Sequence, residues 1–164
     1  MSKAGRPRKI VSGGQTGADL GGLAAARQLG IPTGGWAPRG WLTEDGPARE
    51  LLRDTYGLET CDGGYDVRTE LNVHDSDATV IFARDPESNG TRATIDWAEH
   101  YGKPVIVNPT AKELRDFVAE HRIDVLNVAG NRESVAPGIR EETERLLLEA
   151  FAGASSPAAT LNPS

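Results

Sequence analysis

The stretch "SGGQTG", residues 12–17, puts three glycines within five positions, between a short apolar run and an alanine-rich one. Glycine has no Cβ, so backbone N–H groups there can come close to a ligand, and a helix N-terminus adds partial positive charge. Gly13, Gly14, Gln15, Thr16 and Gly17 are therefore candidate donors to a phosphate or another oxyanion. The alternative reading is a tight strand-to-helix turn with no ligand. The stretch is neither a Walker A loop, since no Lys-Ser/Thr follows, nor a GxGxxG fingerprint.

Two further loops have the same character. In "ARDPESNGTRATIDWA" (83–98), Ser88, Asn89, Gly90 and Thr91 precede a helical stretch; an ordinary N-cap by Asn89 or Thr91 is the alternative. In "NVAGNRESVAPGIREE" (127–142), Gly130 and Asn131 follow the last strand, and a plain surface connector is the alternative. Together, three glycine-bearing strand ends on one edge would surround one crevice with donors. Arg39, Arg68, Arg84 and Arg132 are candidate counter-charges, and each reads equally well as a solvated surface residue. The guest such a crevice suits is a phosphorylated or otherwise anionic small molecule.

Catalytic groups are less evident. Ser12 has no nucleophile-elbow pattern around it, and His74, His100 and His121 are scattered. Cys61 reads as a reactive thiol or as an inert loop cysteine. Glu44-Asp45 and Asp75/Asp77 are candidate metal ligands or acid–base pairs, while Asp75 also suits a helix end. Trp36 and Trp41 flank the suspected pocket, either to stack on a flat ring or to pack a core or lid.

The elements that must position these residues alternate. Lys9–Ser12 reads as a strand and Thr16–Leu29 as a helix stopped by Gly30 and Pro32. "IPTGGWA" is a short strand, Pro38–Gly64 a long weakly patterned loop, and Val67–His74 a helix. "DATVIFA" has the unbroken apolar run of a strand buried on both faces. Thr91–Gly102, Lys112–Arg122 and Gly138–Phe151 read as helices, and Pro104–Val107 and Asp124–Val128 as strands. This β-α alternation predicts a parallel sheet with helices on both faces, and a ligand site beyond the carboxyl ends of the strands at a switch point.

The bulk numbers set outer bounds. A chain of 164 residues suits one domain, here residues 9–152, with a flexible basic arm at 1–8 and a disordered Ala/Ser/Pro-rich tail at 153–164. A net charge of −6 argues against nucleic acid as a partner. One cysteine excludes an internal disulfide or a Cys-rich metal site. With no apolar run long enough for a bilayer and no signal-peptide pattern, the expectation is a cytoplasmic protein with no membrane partner.

The segments "SGGQTGAD", "GIPTGGWAPRG", "EDG", "RTELNVHDSDATVIF", "NGTRATIDWA", "KPVIV" and "NVAGNRESVAPGI" resemble the molybdenum carrier family, the molybdenum cofactor carrier or binding proteins of the wider SLOG superfamily. The resemblance runs from about Ile10 to about Ile139. It implies a Rossmann-like α/β three-layer sandwich, a homo-oligomer, and a pocket for a pterin phosphate carrying molybdenum as cargo. It also invites comparison with the LOG-type nucleoside 5′-monophosphate phosphoribohydrolases. Arg68, Asp77-Ala78, Pro86 and Gly90-Thr91 match that signature, but its lysine is Thr69, its two glycines are Glu87-Ser88, and its catalytic glutamate is Thr94. Cleaving an N-glycosidic bond needs a carboxylate. Asp96 would point about 200° away from Thr94 on the helix.

The resulting expectation is a binder that carries or protects molybdenum cofactor or a related anionic pterin or nucleotide. Gly13, Gly14, Gln15, Thr16, Gly17, Asn89, Gly90, Thr91, Gly130 and Asn131 would supply the donors and Arg68 and Arg39 the charge, with no catalytic residue and no protein-held metal. Cofactor-dependent enzymes are the expected recipients. The alternatives are a phosphoribohydrolase and a sensor of a nucleotide-derived signal.

Overall fold

The computed structural model describes residues 5–152. The expected tail at 153–164 and the first half of the expected arm, 1–4, lie outside them. Residues 5–8, also assigned to the arm, are held against the body: Gly5 and Pro7 are buried, Arg6 donates to Leu29 O at 2.5 Å, and Arg8 N–H donates to Asp124 O at 2.8 Å.

The strands are β1 (Lys9–Ser12), β2 (Thr33–Gly34), β3 (Trp36–Ala37), β4 (Leu42–Thr43), β5 (Gly46–Pro47), β6 (Glu59–Thr60), β7 (Ala78–Phe82), β8 (Val105–Val107) and β9 (Val125–Gly130). The α-helices are α1 (Ala18–Leu29), α2 (Tyr65–His74), α3 (Asn89–Tyr101), α4 (Ala111–Glu120) and α5 (Ile139–Ala152). Five strands form one parallel sheet in the order β2-β1-β9-β7-β8. Helices α1, α4 and α5 pack together as one layer, and α2 packs on α3 as the other. This is the expected α/β three-layer, Rossmann-like architecture.

The sheet order creates the crevice. β9, last in sequence, lies between β1 and β7, with Val11 paired to Asn127 and Val80 paired to Val128. β1 leads into α1 on one face and β7 into α3 on the other, so the loops after β1, β9 and β7 part at the sheet's carboxyl edge. The centres of the strands that hold these loops are buried: Ile10, Val80, Leu126 and Val128 are each 0% exposed and join the main core with Leu114, Leu147 and Phe151.

The segment 38–64 departs from the sequence expectation. Instead of a loop it contains the β4–β5 hairpin, a π-helical turn at Glu50–Thr55, and β6 paired in parallel with β3. Leu52, Tyr56 and Leu58 pack with Leu20 and Leu23 of α1 and with Ala37 into a second core. The apolar residues are too widely and irregularly spaced to show either period, yet they converge on one side of α1.

Candidate functional site

The first glycine loop is stitched into the protein. Gln15 N–H donates to Asp19 Oδ2 at 3.0 Å, Thr16 N–H to Gln15 Oε1 at 3.0 Å, and Ala18 N–H to Asn131 O at 3.1 Å. These are donors at the entrance to α1, and Asp19 puts a carboxylate of the chain's own in its first turn. The glycines serve close packing. A side chain on Gly13 would overlap the Arg68 guanidinium, one on Gly14 would press Leu52 and Leu58, and one on Gly17 would overlap the backbone of Asn131, Arg132 and Glu133. Gly14 and Gly17 also have φ of 77° and 81°, a region side chains disfavour. The glycines of this loop thus admit protein atoms.

The helix α3 presents an open N-terminus. Ser88 is its N-cap residue, but the hydroxyl donates to Thr91 Oγ1 at 3.0 Å and no side chain caps the first turn. Gly90 has open space where a side chain would stand. A 13-residue helix with an uncapped first turn presents N–H donors and partial positive charge.

Between these two helices lies a cavity of about 240 Å³. Gln15 and Asp19 form one wall, Arg68 and Thr69 of α2 another, Ser88, Asn89, Gly90 and Thr94 a third, and Ala129 to Arg132 with Val135 the fourth. Of the predicted site residues it brings together Gln15, Arg68, Asn89, Gly90, Gly130 and Asn131. Gly13 borders a water-sized chamber, about 10 Å³, beside Asp19 and Arg68. Gly14, Thr16, Gly17, Thr91 and Arg39 do not line the cavity. Arg39 donates to Asp62 O instead, and Thr91 is buried under Ser88. Arg84 turns to the opposite face, where it pairs with Glu142 at 2.5 Å.

Two donors in this wall lack partners. Gln15 is 5% exposed; its Oε1 accepts from Thr16 N–H and from Glu44 N–H at 2.8 Å, which fixes the amide and leaves Nε2 with no acceptor. Arg68 Nε is also buried without a partner. Unpaired buried donors are costly, so a site that collects them favours an acceptor-rich guest. Arg68 Nη1 reaches Asp19 Oδ2 at 3.3 Å. Arg68 and Arg132 both lie over the Tyr65 ring, at 5.5 and 5.7 Å from its centre. The ionisable residues in the wall are therefore two arginines and one aspartate.

Other polar groups hold the walls in place. Asn131 accepts from Asp85 N–H at 2.9 Å and donates to Asp85 O and Ser88 Oγ, so its amide positions the second loop. Glu44, at the tip of the β4–β5 hairpin, accepts from Thr16 Oγ1 and from the Ser134 hydroxyl and N–H. Desolvation alone would raise its carboxyl. The Ser134 and Thr16 hydrogen bonds and the charge of Arg132 outweigh that and hold it below its ordinary value. For Asp19 burial wins, raising its carboxyl against the pull of Arg68, Gln15 N–H and Ser12.

The remaining candidates lie elsewhere. Trp36 is tied to Asn72 and Asp75, and Trp41 packs on the second core, so neither lines the cavity. Asp77 accepts from Asp124 and Val125 N–H and fixes backbone. Cys61 is buried, its thiol donating to Gly63 O at 3.4 Å. Among the described residues no three His, Cys, Asp or Glu side chains gather to hold a metal, and no helix is long and apolar enough to cross a membrane. A larger cavity, about 500 Å³, lies between the β7 and β8 ends and α5, but its Asn108 and Arg84 are already paired with Ala83, Pro137 and Glu142.

Sequence reasoning missed Asp19 as part of the wall. Its signal is an acidic residue in the first turn of a helix, four positions after Gln15. It proposed Ser88 as a donor but not Thr69, Thr94 or Val135 as part of the wall, because only the fold shows which side of a turn faces the crevice. Thr94, at the position of the LOG-type glutamate, does face the cavity and donates to Gly90 O at 2.9 Å, while Asp96 is exposed and outside it.

The comparisons agree with this architecture. A crystal structure named as that of a "Putative molybdenum carrier protein" from Syntrophus aciditrophicus SB is similar at 37% identity and a TM-score of 0.79, over 92% of this chain and 97% of that one. No curated protein matches. The family model described as circularly permutated YpsA SLOG matches residues 10–151, nearly the whole described chain. On the fold and on that match, the protein belongs to the circularly permutated YpsA SLOG family.

Proposed function

We propose that the cavity seats the phosphate or oxo end of molybdenum cofactor, or of a closely related anionic pterin or nucleotide, and that the protein carries or protects this cargo. The observation that carries the reading is the convergence on one cavity of Arg68, Arg132, the unpartnered Gln15 amide and the uncapped first turn of α3. A cavity of about 240 Å³ is small beside common ligand pockets of roughly 300–1,000 Å³, so it would enclose one end of such a molecule and leave the rest at the mouth. The wall offers hydrogen-bond donors and guanidinium groups; its oxygen ligands are few and it has no thiolate or imidazole. A molybdenum atom would therefore be held through the cargo's own ligands. The similar protein's name points the same way.

The reading extends to a homo-oligomer in the cytoplasm that hands cargo to cofactor-dependent enzymes. The phosphoribohydrolase alternative is disfavoured by Thr94, which puts a hydroxyl where that chemistry uses a carboxylate. The test is to purify the protein from a host that makes molybdenum cofactor, denature it, and analyse the released molecules by mass spectrometry with molybdenum content. Stoichiometric pterin with molybdenum supports the carrier. A nucleotide in its place favours the sensor, and adenine released from AMP favours the hydrolase.

A further inference from the structure

We infer that Asp19 is a built-in competitor for the ligand: it holds Arg68 until an oxyanion enters, yields the guanidinium to it, and takes up a proton as it does so. The inference rests on the oxyanion seat proposed above and adds a release mechanism to it.

The geometry of the pair is its basis. Asp19 is 4% exposed, and Oδ2 receives both Gln15 N–H and Arg68 Nη1. The contact with Arg68 is single and 3.3 Å long, against about 2.7–2.9 Å for a good charge-assisted bond, and Arg68 Nε remains without a partner. A bidentate fork is thus not formed between the buried Asp19 and the partly buried Arg68. An entering oxyanion has several free oxygens and can meet that fork better than Asp19 does. Once the guanidinium turns to the ligand, Asp19 is a buried carboxylate with its counter-charge engaged elsewhere, a costly state that a proton relieves.

Besides the Gln15 N–H and the N-terminal end of α1, the surroundings of this chamber offer Asp19 no formal positive charge other than Arg68 among the described residues. Facing Asp19 and its small chamber are Ser12 of β1, Thr69 and Asn72 of α2, Thr94 of α3 and Asn127 of β9, all neutral. The ionisable groups lining the cavity and chamber, among the described residues, are Asp19, Arg68 and Arg132. Arg132 lies over Tyr65 and remains available to the ligand. Burial already pushes the Asp19 carboxyl above its ordinary value with Arg68 in place. The balance is at most one proton from solvent onto the carboxylate for each ligand bound, the fraction being set by how far Asp19 is already protonated in the free form, with no other covalent bond made or broken. The chamber beside Asp19 is about the size of one water.

The consequence is an affinity that weakens as pH rises, by up to about tenfold per pH unit between the Asp19 pKa values of the free and bound forms. A carrier built this way grips more tightly at lower pH and loosens as pH rises.

Sulfate is a suitable probe, being tetrahedral and remaining a dianion as the pH is raised from mild acid, so that its own titration does not enter the linkage. Calorimetric titration in buffers of different ionisation enthalpy measures proton uptake directly in the unaltered protein. Uptake of a fraction of a proton, with affinity falling as pH rises, is the expected result. Asp19→Asn should bind sulfate about tenfold or more tightly at the alkaline end, with no uptake. No uptake by the unaltered protein, or an Asn variant that binds equally or more weakly, overturns the exchange while leaving the seat standing. Sulfate bound by neither protein overturns the seat itself. Should Asp19→Asn not fold, proton uptake by the unaltered protein still decides.

Discussion

The Arg68 guanidinium occupies the space that a side chain on Gly13 would need. This relationship, between residues 55 positions apart, places a cation at the carboxyl end of β1. Gly13→Ala should push Arg68 out of the cavity wall. Leaving the buried Asp19 carboxylate without its Arg68 contact should destabilise the protein by about 1–3 kcal/mol. Loss of the Arg68 contact should weaken sulfate binding by about tenfold or more. Gly90→Ala meets open space in the first turn of α3 and should change stability little. Urea denaturation and sulfate titration of both variants check this; a Gly13→Ala protein with full affinity would falsify the assignment of Arg68.

Glu44 joins the β4–β5 hairpin to the first and third loops. Its folded pKa lies below the ordinary 4.5, so the stability it adds is fully present above that value and is lost as pH falls through the lowered one. Hydrogen exchange at the Ser134 amide should quicken in that acid window. In Glu44→Gln the exchange should be faster at neutral pH and should lose this pH dependence. An acid-insensitive Ser134 amide in the unaltered protein would contradict the clasp.

Asn131 bridges β9 to the loop before α3 with three hydrogen bonds. Asn131→Ala leaves Asp85 and Ser88 without these partners and should cost about 1–3 kcal/mol. The loosening should appear first at residues 85–90 in hydrogen exchange, together with weaker sulfate binding. Thermal unfolding with residue-resolved exchange measures both, and uniform exchange along the chain would argue that Asn131 does not act on this loop.

Leu52 is 0% exposed in the second core, between the segment 38–64 and α1. Leu52→Ala should destabilise by about 2–5 kcal/mol through lost burial and the cavity left behind. A loss under about 0.5 kcal/mol, usual for surface substitutions, would show that this segment is only loosely attached.

Much of the fold was legible along the chain. The unbroken apolar run at 78–82 predicts a buried strand, and Gly30 and Gly102 mark helix ends, because these are local properties of neighbouring residues. The regular alternation then implies a parallel sheet with its loops along one edge. The segment 38–64 was not legible: its core forms only when Leu52 and Leu58 meet Leu20 and Leu23, and no period within the segment announces that meeting.

The candidate site divides along the same line. By itself the sequence determined that three glycine-bearing loops follow strands β1, β7 and β9, since strand ends are written in chain-neighbour chemistry; Arg68 stood out from Arg39, Arg84 and Arg132 only through its resemblance to the LOG-type signature. Only the tertiary structure decided that the glycines of the first loop admit Arg68 and the third loop, that α3 presents an open helix terminus, and that Asp19 shares the cavity with Arg68. Those outcomes depend on β9 lying between β1 and β7 and on α2 folding back over Gly13, contacts whose partners are tens of residues apart and whose geometry is set by packing.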